Sequence, residues 1–291
     1  MNPDSHLTEQ LYTLVWSAAD AIMQFHHQHV RVTTKEDDSP LTAADLASHR
    51  ILTEGLVRLT RDIPVISEES EKVPAAQRHD WRQHWLIDPL DGTREFLAGN
   101  DEFTINLALI EDHAPIFGIV AVPAQARMFV GFPLHKTCFI LHRDHTRQDV
   151  ACRPIAPALT GERPVVAVAS RSHRNPQTRA WLEAFASRVP ELVVKGIGSA
   201  LKLCILAAGL ADVYPRLGPT AEWDIAAAHA VLLAAGGNIM MLDGAPLCYN
   251  TRETLLNPTF IATADGSARW RKLLLDCTDS QAPPTGDAGR G

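Results

Sequence analysis

The sequence predicts an α+β protein in two subdomains. Three observations carry that prediction: an apolar repeat at helical spacing near the N-terminus, a series of short β-rich runs up to about residue 150, and an alternation of helical and strand-like segments beyond it. With 291 residues, 46% of them hydrophobic, the chain can bury a full core.

Leu7, Leu11, Leu14, Val15, Ala18, Ile22 and Phe25 recur at intervals of three and four, which predicts an amphipathic helix from Leu7 to Phe25. A second helix is expected from Thr42 to about Leu59, because Pro40 closes the preceding loop and Thr42 is a capping residue. Strands are then expected at Pro64 to Ile66, Trp85 to Ile87, Thr104 to Ile110, Ile116 to Val122, Met128 to Phe132 and Thr137 to Leu141. The turn-forming and charged residues between them point to a largely antiparallel meander. Beyond residue 150 the expected order is strand (Val165 to Ala169), helix (Gln177 to Ala186), strand (Leu192 to Lys195), helix (Leu201 to Ala208) and strand (Asp212 to Tyr214). A buried helix from Asp224 to Ala235 is closed by Gly236-Gly237, and Asn238 to Leu242 returns as a strand. The expected division is residues 1–150, residues 151–275 and a disordered Gly/Pro-rich tail at 280–291.

A formal charge of −7 and a pI near 6.0 exclude a protein that coats nucleic acid. Five cysteines without a Cys-x-x-Cys pair suggest neither a disulfide framework nor a zinc site, so a reducing, cytoplasmic compartment is expected. Met1 to Gln10 is polar and lacks the apolar core of a secretory signal, and no apolar run reaches the ~18 residues of a spanning helix, so no stable membrane insertion is expected.

The chemistry concentrates in Asp88-Pro89-Leu90-Asp91-Gly92-Thr93. Two carboxylates three apart, held by Pro89 and Gly92, point into a common space, and the Leu90 carbonyl lies between them. Glu68 follows the preceding short strand and joins them if the two strands are neighbours. Three converging anions repel one another and raise their own pKa values, which a bound cation relieves. The ligands are hard oxygens, which suits magnesium. Asp88 before proline also suits a plain Asx-turn, and Asp224 suits a helix N-terminus, so both alternatives stay open on residues alone.

In their order and spacing, Glu68-Glu69-Ser70, Asp88 to Thr93 and Trp223-Asp224-Ile225-Ala226-Ala227 resemble the three signatures of the magnesium-dependent, lithium-sensitive phosphatases that include inositol monophosphatase. The resemblance implies a layered αβαβα sandwich and metal ligands at Glu68, Asp88, Asp91, Asp224 and the Leu90 carbonyl, holding two or three Mg2+. It implies that Thr93 and Asp45 form a catalytic pair with Glu68 beside them: Thr93 orients the attacking water and Asp45 accepts its proton. Without the resemblance, Asp45 reads as a first-turn carboxylate of its helix.

Within the family the likeness is stronger to the bacterial 3'(2'),5'-bisphosphate nucleotidases. It rests on Ser39-Pro40-Leu41-Thr42-Ala43-Ala44-Asp45, Val65-Ile66-Ser67-Glu68-Glu69, Ser170-Arg171-Ser172-His173, Gly198-Ser199-Ala200-Leu201-Lys202 and Tyr214 to Thr220. Arg94 in place of a lysine, and Ala221-Glu222 in place of a less acidic pair, are departures. The likeness implies a small nucleotide substrate: adenosine 3',5'-bisphosphate cleaved to AMP, with adenosine 3'-phosphate 5'-phosphosulfate as a second substrate, in sulfur metabolism. A second phosphate needs its own cations and donors, for which Lys202, Arg216, Ser170, Ser172, His173 and Ser199 are candidates, with Gly92 and Thr93 amides on the cleaved phosphate and Glu222 as a further contact. Lys202 as a snorkelling helix residue and Arg216 as a solvated loop residue stay open. Also open are an inositol or other sugar phosphate as substrate, a non-catalytic divalent-cation protein, a monomer or a homodimer, and peripheral association with the cytoplasmic face of the inner membrane.

Overall fold

The computed structural model describes residues 3–26, 28, 32–34, 40–170 and 175–279. Ser172, His173 and the tail at 280–291 lie outside the described residues.

Helix α1 (Ser5–Met23) starts where the Asp4 carboxylate accepts the Leu7 amide at 2.8 Å. A two-stranded ribbon, β1 (Val32–Thr34) with β2 (Pro40–Thr42), leads into α2 (Ala43–Leu59). Thr42 caps α2 in a capping box with Asp45. Next come β3 (Val65–Ser67), the one-turn α3 (Ala75–Arg78), β4 (Gln83–Asp91), the short α4 (Thr93–Leu97) and the meander β5 (Thr104–Glu111), β6 (Ala114–Val122), β7 (Arg127–Phe132), β8 (Thr137–His142) and β9 (Arg147–Asp149). Strands β3 to β9 form one seven-stranded sheet in sequence order, antiparallel except where β3 pairs parallel with β4. The expected strand at 85–87 is thus much longer and carries both Asp88 and Asp91.

The second half runs through α5 (Ala156–Leu159), β10 (Val165–Ser170), α6 (Pro176–Ala186), β11 (Leu192–Ile197), α7 (Leu201–Ala207), β12 (Val213–Arg216), α8 (Ala226–Ala234), β13 (Asn238–Met241), β14 (Phe260–Thr263) and α9 (Ala268–Asp279). Its five-stranded sheet has the order β11-β10-β12-β14-β13 and mixed direction.

Three cores stack these parts into five layers. Leu11, Val15 and Ile22 of α1 and Leu52 and Leu56 of α2 pack on Trp85, Leu107 and Ile119 of the large sheet. The other face of that sheet, with Leu86, Ala108 and Val120, meets α7 and α8, which also cover Val168, Tyr214 and Ala262 of the small sheet. Outside the small sheet, Val165, Val213 and Ile261 lie under Trp181 and Phe185 of α6 and Trp270 of α9. The order is αβαβα. Helix α8 reaches its place because Gly118 and Gly131 lack side chains: a Cβ on either would overlap the helix backbone at Ala227 or at Ala230 and Val231. Among the described residues no helix is long and apolar enough to cross a membrane.

Candidate active site

Parallel pairing sets Ser67 opposite Ile87, so Glu68 leaves β3 beside Asp88, and the Glu68 amide donates to the Ile87 carbonyl at 3.2 Å. Residues three apart on a regular strand face opposite sides. Here Asp88 pairs with Asn106 and Asp91 with Thr104, with a register shift between them. Three steps on β4 thus match two on β5, a bulge of one extra residue, placed where Pro89 has no N–H to give the ladder. The bulge turns Asp91 to the same face as Asp88. Gly92 then adopts φ +87°, a left-handed conformation that favours glycine, and opens α4 at Thr93.

One face of α2 holds the surrounding segments. The two oxygens of Asp45 divide the roles that sequence alone left as alternatives: Oδ2 accepts the Thr42 amide at 2.8 Å in the capping box, and Oδ1 accepts the Thr93 hydroxyl at 3.3 Å. That hydroxyl also lies 3.2 Å from the Leu90 carbonyl. One turn on, the buried Ser48 hydroxyl donates to the Pro89 carbonyl at 2.7 Å and pins the bulge, while His49 Nδ1 meets Ser67 Oγ at 2.9 Å. Ser48 and His49 were not among the expected site residues. Their signal was the i, i+3, i+4 spacing from Asp45.

Asp224 lies in the turn before α8, and this corrects the expected helix start: its Oδ2 accepts the Ala221 amide at 2.9 Å, and the helix begins at Ala226 without a side-chain cap. Asp91 Oδ2 accepts from the Ala200 amide at 2.5 Å and from Thr104 and Asn106 at 3.3 Å each. Burial, then the charges of Glu68, Asp91 and Asp224, and a hydrogen bond with Glu68, push the Asp88 carboxyl well above the ordinary range. Burial also raises Asp91, against the pull of Lys202, the Ala200 amide and Asn106. Asp224 is pushed up to about 8 by burial and by Asp91 and Glu68. Oxygen donors that raise one another in this way suit a hard divalent cation. They are not drawn onto one point: among the described residues, no three His, Cys, Asp or Glu side chains stand close enough to hold a metal ion.

A cavity of about 290 Å³ extends from Asp91, Gly92, Thr93 and Asp224 to Ser170, Ser199, Lys202 and Arg216. Lys202 is buried, its ammonium donates to the Ser199 carbonyl at 2.6 Å and lies 5.6 Å from the Tyr214 ring centre, and burial lowers its pKa to about 8. Arg216 Nη2 donates to the Pro219 carbonyl at 2.5 Å. Arg94, Glu95, Tyr214 and Thr220 line the same cavity and were not expected as contacts. Glu222 is a correction: it is fully buried away from the cavity, its carboxylate accepting from the Asn250 amide at 2.8 Å and from Arg252 at 2.9 Å. A carboxylate with both oxygens engaged inside the protein is not offered to a substrate.

The five-layered fold and its acidic bulge are those of a metal-dependent phosphatase, and the chain belongs to the inositol monophosphatase family, whose model matches residues 4–274. The chain is 40% identical over 262 residues to the 3'(2'),5'-bisphosphate nucleotidase CysQ of Salmonella typhimurium strain LT2, covering 88% of this chain and 99% of that protein. It is 33% identical to CysQ of Haemophilus influenzae, covering 93% and 97%. Among solved structures, CysQ from Bacteroides thetaiotaomicron superposes with a TM-score of 0.74 at 31% identity, covering 89% of this chain and 97% of that one. An inositol monophosphatase from Zymomonas mobilis shares the fold, with a TM-score of 0.72 at 22% identity, covering 95% and 100%.

Proposed function

We propose that the chain is a magnesium-dependent 3'(2'),5'-bisphosphate nucleotidase that converts adenosine 3',5'-bisphosphate to AMP and phosphate. One observation carries the reading: a single cavity is lined both by the carboxylates Asp91 and Asp224 and by the cations Lys202 and Arg216. An ester with two phosphates can use the cations as well as the carboxylate-held metal, whereas a monophosphate of a neutral polyol needs only the latter. The CysQ relatives, matched over nearly their whole length, support the same choice.

Glu68, Asp88, Asp91, Asp224 and the Leu90 carbonyl would hold the magnesium. When bound, it supplies charge neutralisation and Lewis acidity to the phosphoryl group. The remaining steps belong to the chain. Thr93 Oγ1 holds the attacking water, and Asp45 Oδ1, which already accepts from that hydroxyl, takes the proton the water gives up. The amides of Gly92 and Thr93 grip phosphate oxygens, and the P–O3' bond breaks as the water oxygen bonds to phosphorus, the departing ribose oxygen taking a proton from solvent to become a hydroxyl. Tyr214 and Thr220 supply an aromatic wall and a hydroxyl to the nucleoside. All five cysteines are free, which suits work in the reducing cytoplasm.

Initial rates on adenosine 3',5'-bisphosphate, inositol 1-phosphate and fructose 1,6-bisphosphate with Mg2+ test the proposal. The nucleotide is expected to be the preferred substrate. Preference for either sugar phosphate would refute it, and release of no phosphate from any of the three would leave a non-catalytic cation-binding protein.

A further inference from the structure

Arg78 is among the most deeply buried charged side chains of the molecule, 1% exposed, at the end of the short α3 between the Glu68 segment and β4. Its guanidinium donates to the Asn250 side-chain oxygen at 2.5 Å and to the carbonyls of Arg252 and Glu253 at 2.7 Å each, and the Asn250 side-chain amide returns a bond to the Arg78 carbonyl at 2.7 Å. The Asn250 backbone, at φ +54°, in turn donates to Glu222, which sits two residues before Asp224. The Glu222 backbone is itself fixed: its amide donates to the Leu255 carbonyl at 2.8 Å, and its carbonyl accepts the Ala226 amide at 3.0 Å.

A buried guanidinium bonded through its two terminal nitrogens to three carbonyl-type oxygens across 172 to 175 residues of sequence is costly to desolvate and fixes the segments it joins. It bonds the 250–253 segment, and the Asn250 amide of that segment bonds Glu222, two residues before Asp224. We propose that Arg78, acting through Asn250 and Glu222, is a positioning residue that holds Asp224 on the wall of the cavity it shares with Asp91. The inference rests on the reading of Asp224 as a cation ligand. It also gives buried Glu222 a task that direct contact with a substrate does not.

Titration with Mn2+ alone, with free Mn2+ read by electron paramagnetic resonance, tests it on the wild-type chain, Arg78→Lys, Glu222→Gln and Arg153→Lys, with melting temperatures alongside. Arg153 bonds buried Asp212 in a separate cluster, so its variant reports the effect of lost stability alone. Arg78→Lys keeps the charge and loses the fork; Glu222→Gln keeps the shape and loses the charge. Both are expected to bind Mn2+ about 10- to 100-fold more weakly, while Arg153→Lys melts earlier with wild-type affinity. Wild-type Mn2+ affinity in Arg78→Lys and Glu222→Gln would overturn the proposal, and Glu222→Gln decides it alone if Arg78→Lys does not fold. A wild-type chain that binds no Mn2+ would overturn the ligand reading itself, a result distinct from equal affinities across all four chains.

Discussion

Asp45 shows how one side chain can satisfy a structural and a chemical reading together, because a carboxylate has two oxygens and here each has its own partner. Asp45→Asn is therefore expected to lower kcat steeply while costing about 1 kcal/mol of stability through the weakened cap, checked by steady-state rates beside a urea melt. Asp88→Asn and Asp91→Asn are expected to lose more than about 100-fold in turnover, beyond the range of changes outside a metal's own ligands, with an unchanged far-UV spectrum. Wild-type-like rates in either would remove the metal scheme. At this scale the sequence was legible where a motif concentrates its chemistry, as in Asp88 to Thr93. It was silent on Arg78 and Ser48, whose partners lie 172 and 41 residues away, and Glu222, expected from the resemblance as a further contact, is buried away from the cavity.

Among the elements, β4 is the most instructive. Its apolar run Trp85-Leu86-Ile87 announced a strand, but the continuation through Pro89 was hidden, because a proline argues against a paired strand unless a bulge accommodates it. The bulge is what the chemistry requires: it places on one face two carboxylates that regular pleating would separate. Helix α8 depends on an equally local device. Gly118→Ala or Gly131→Ala forces a methyl into the helix backbone and is expected to destabilise the fold by at least about 1–3 kcal/mol, read as a shift in the urea midpoint. An unchanged midpoint would mean that the helix can lift without cost. Three elements of the second half escaped the sequence: the one-turn α5; β14, a four-residue run in the interior of its sheet; and α9, whose buried Trp270, Leu274 and Cys277 recur at helical spacing among charged residues that dilute the pattern.

For the molecule as a whole, the layer order followed from resemblance, whereas periodicity alone supported no more than a meander followed by alternating elements. The central core is shared by both sheets, so long-range packing, which no local pattern encodes, joins the halves. Buried ionisable groups give the whole fold a pH profile. His229 is lowered to about 3 and His84 to about 4, in both cases chiefly by burial. Both folded values lie below the unfolded value of about 6.5, so the unfolded chain binds protons that the folded chain refuses. The stability these sites contribute is complete above pH 6.5 and drains away as the pH falls toward the folded values, by up to about 1.4 kcal/mol per pH unit for each site. His84→Phe isolates one site, since neither ring nitrogen of this buried side chain has a hydrogen-bond partner among the described residues. The variant is expected to match or exceed wild-type stability at pH 7 and to lose less of it by pH 5. An identical pH dependence would show that His84 takes up protons equally in the folded and unfolded chains.

The seating of α8 against both sheets also divides the candidate site by its dynamics. Amides of Ala226 to Ala234 lie in the middle layer, where exchange with deuterium requires the global opening of the fold. The five residues of α4, with half-buried Thr93 and Arg94 exposed beside the cavity, can open by local fraying. Helix α8, which follows Asp224, is thus expected to be the fixed side and α4 at Thr93 the side that breathes, so a bound nucleotide would slow deuterium uptake on α4 and leave α8 unchanged.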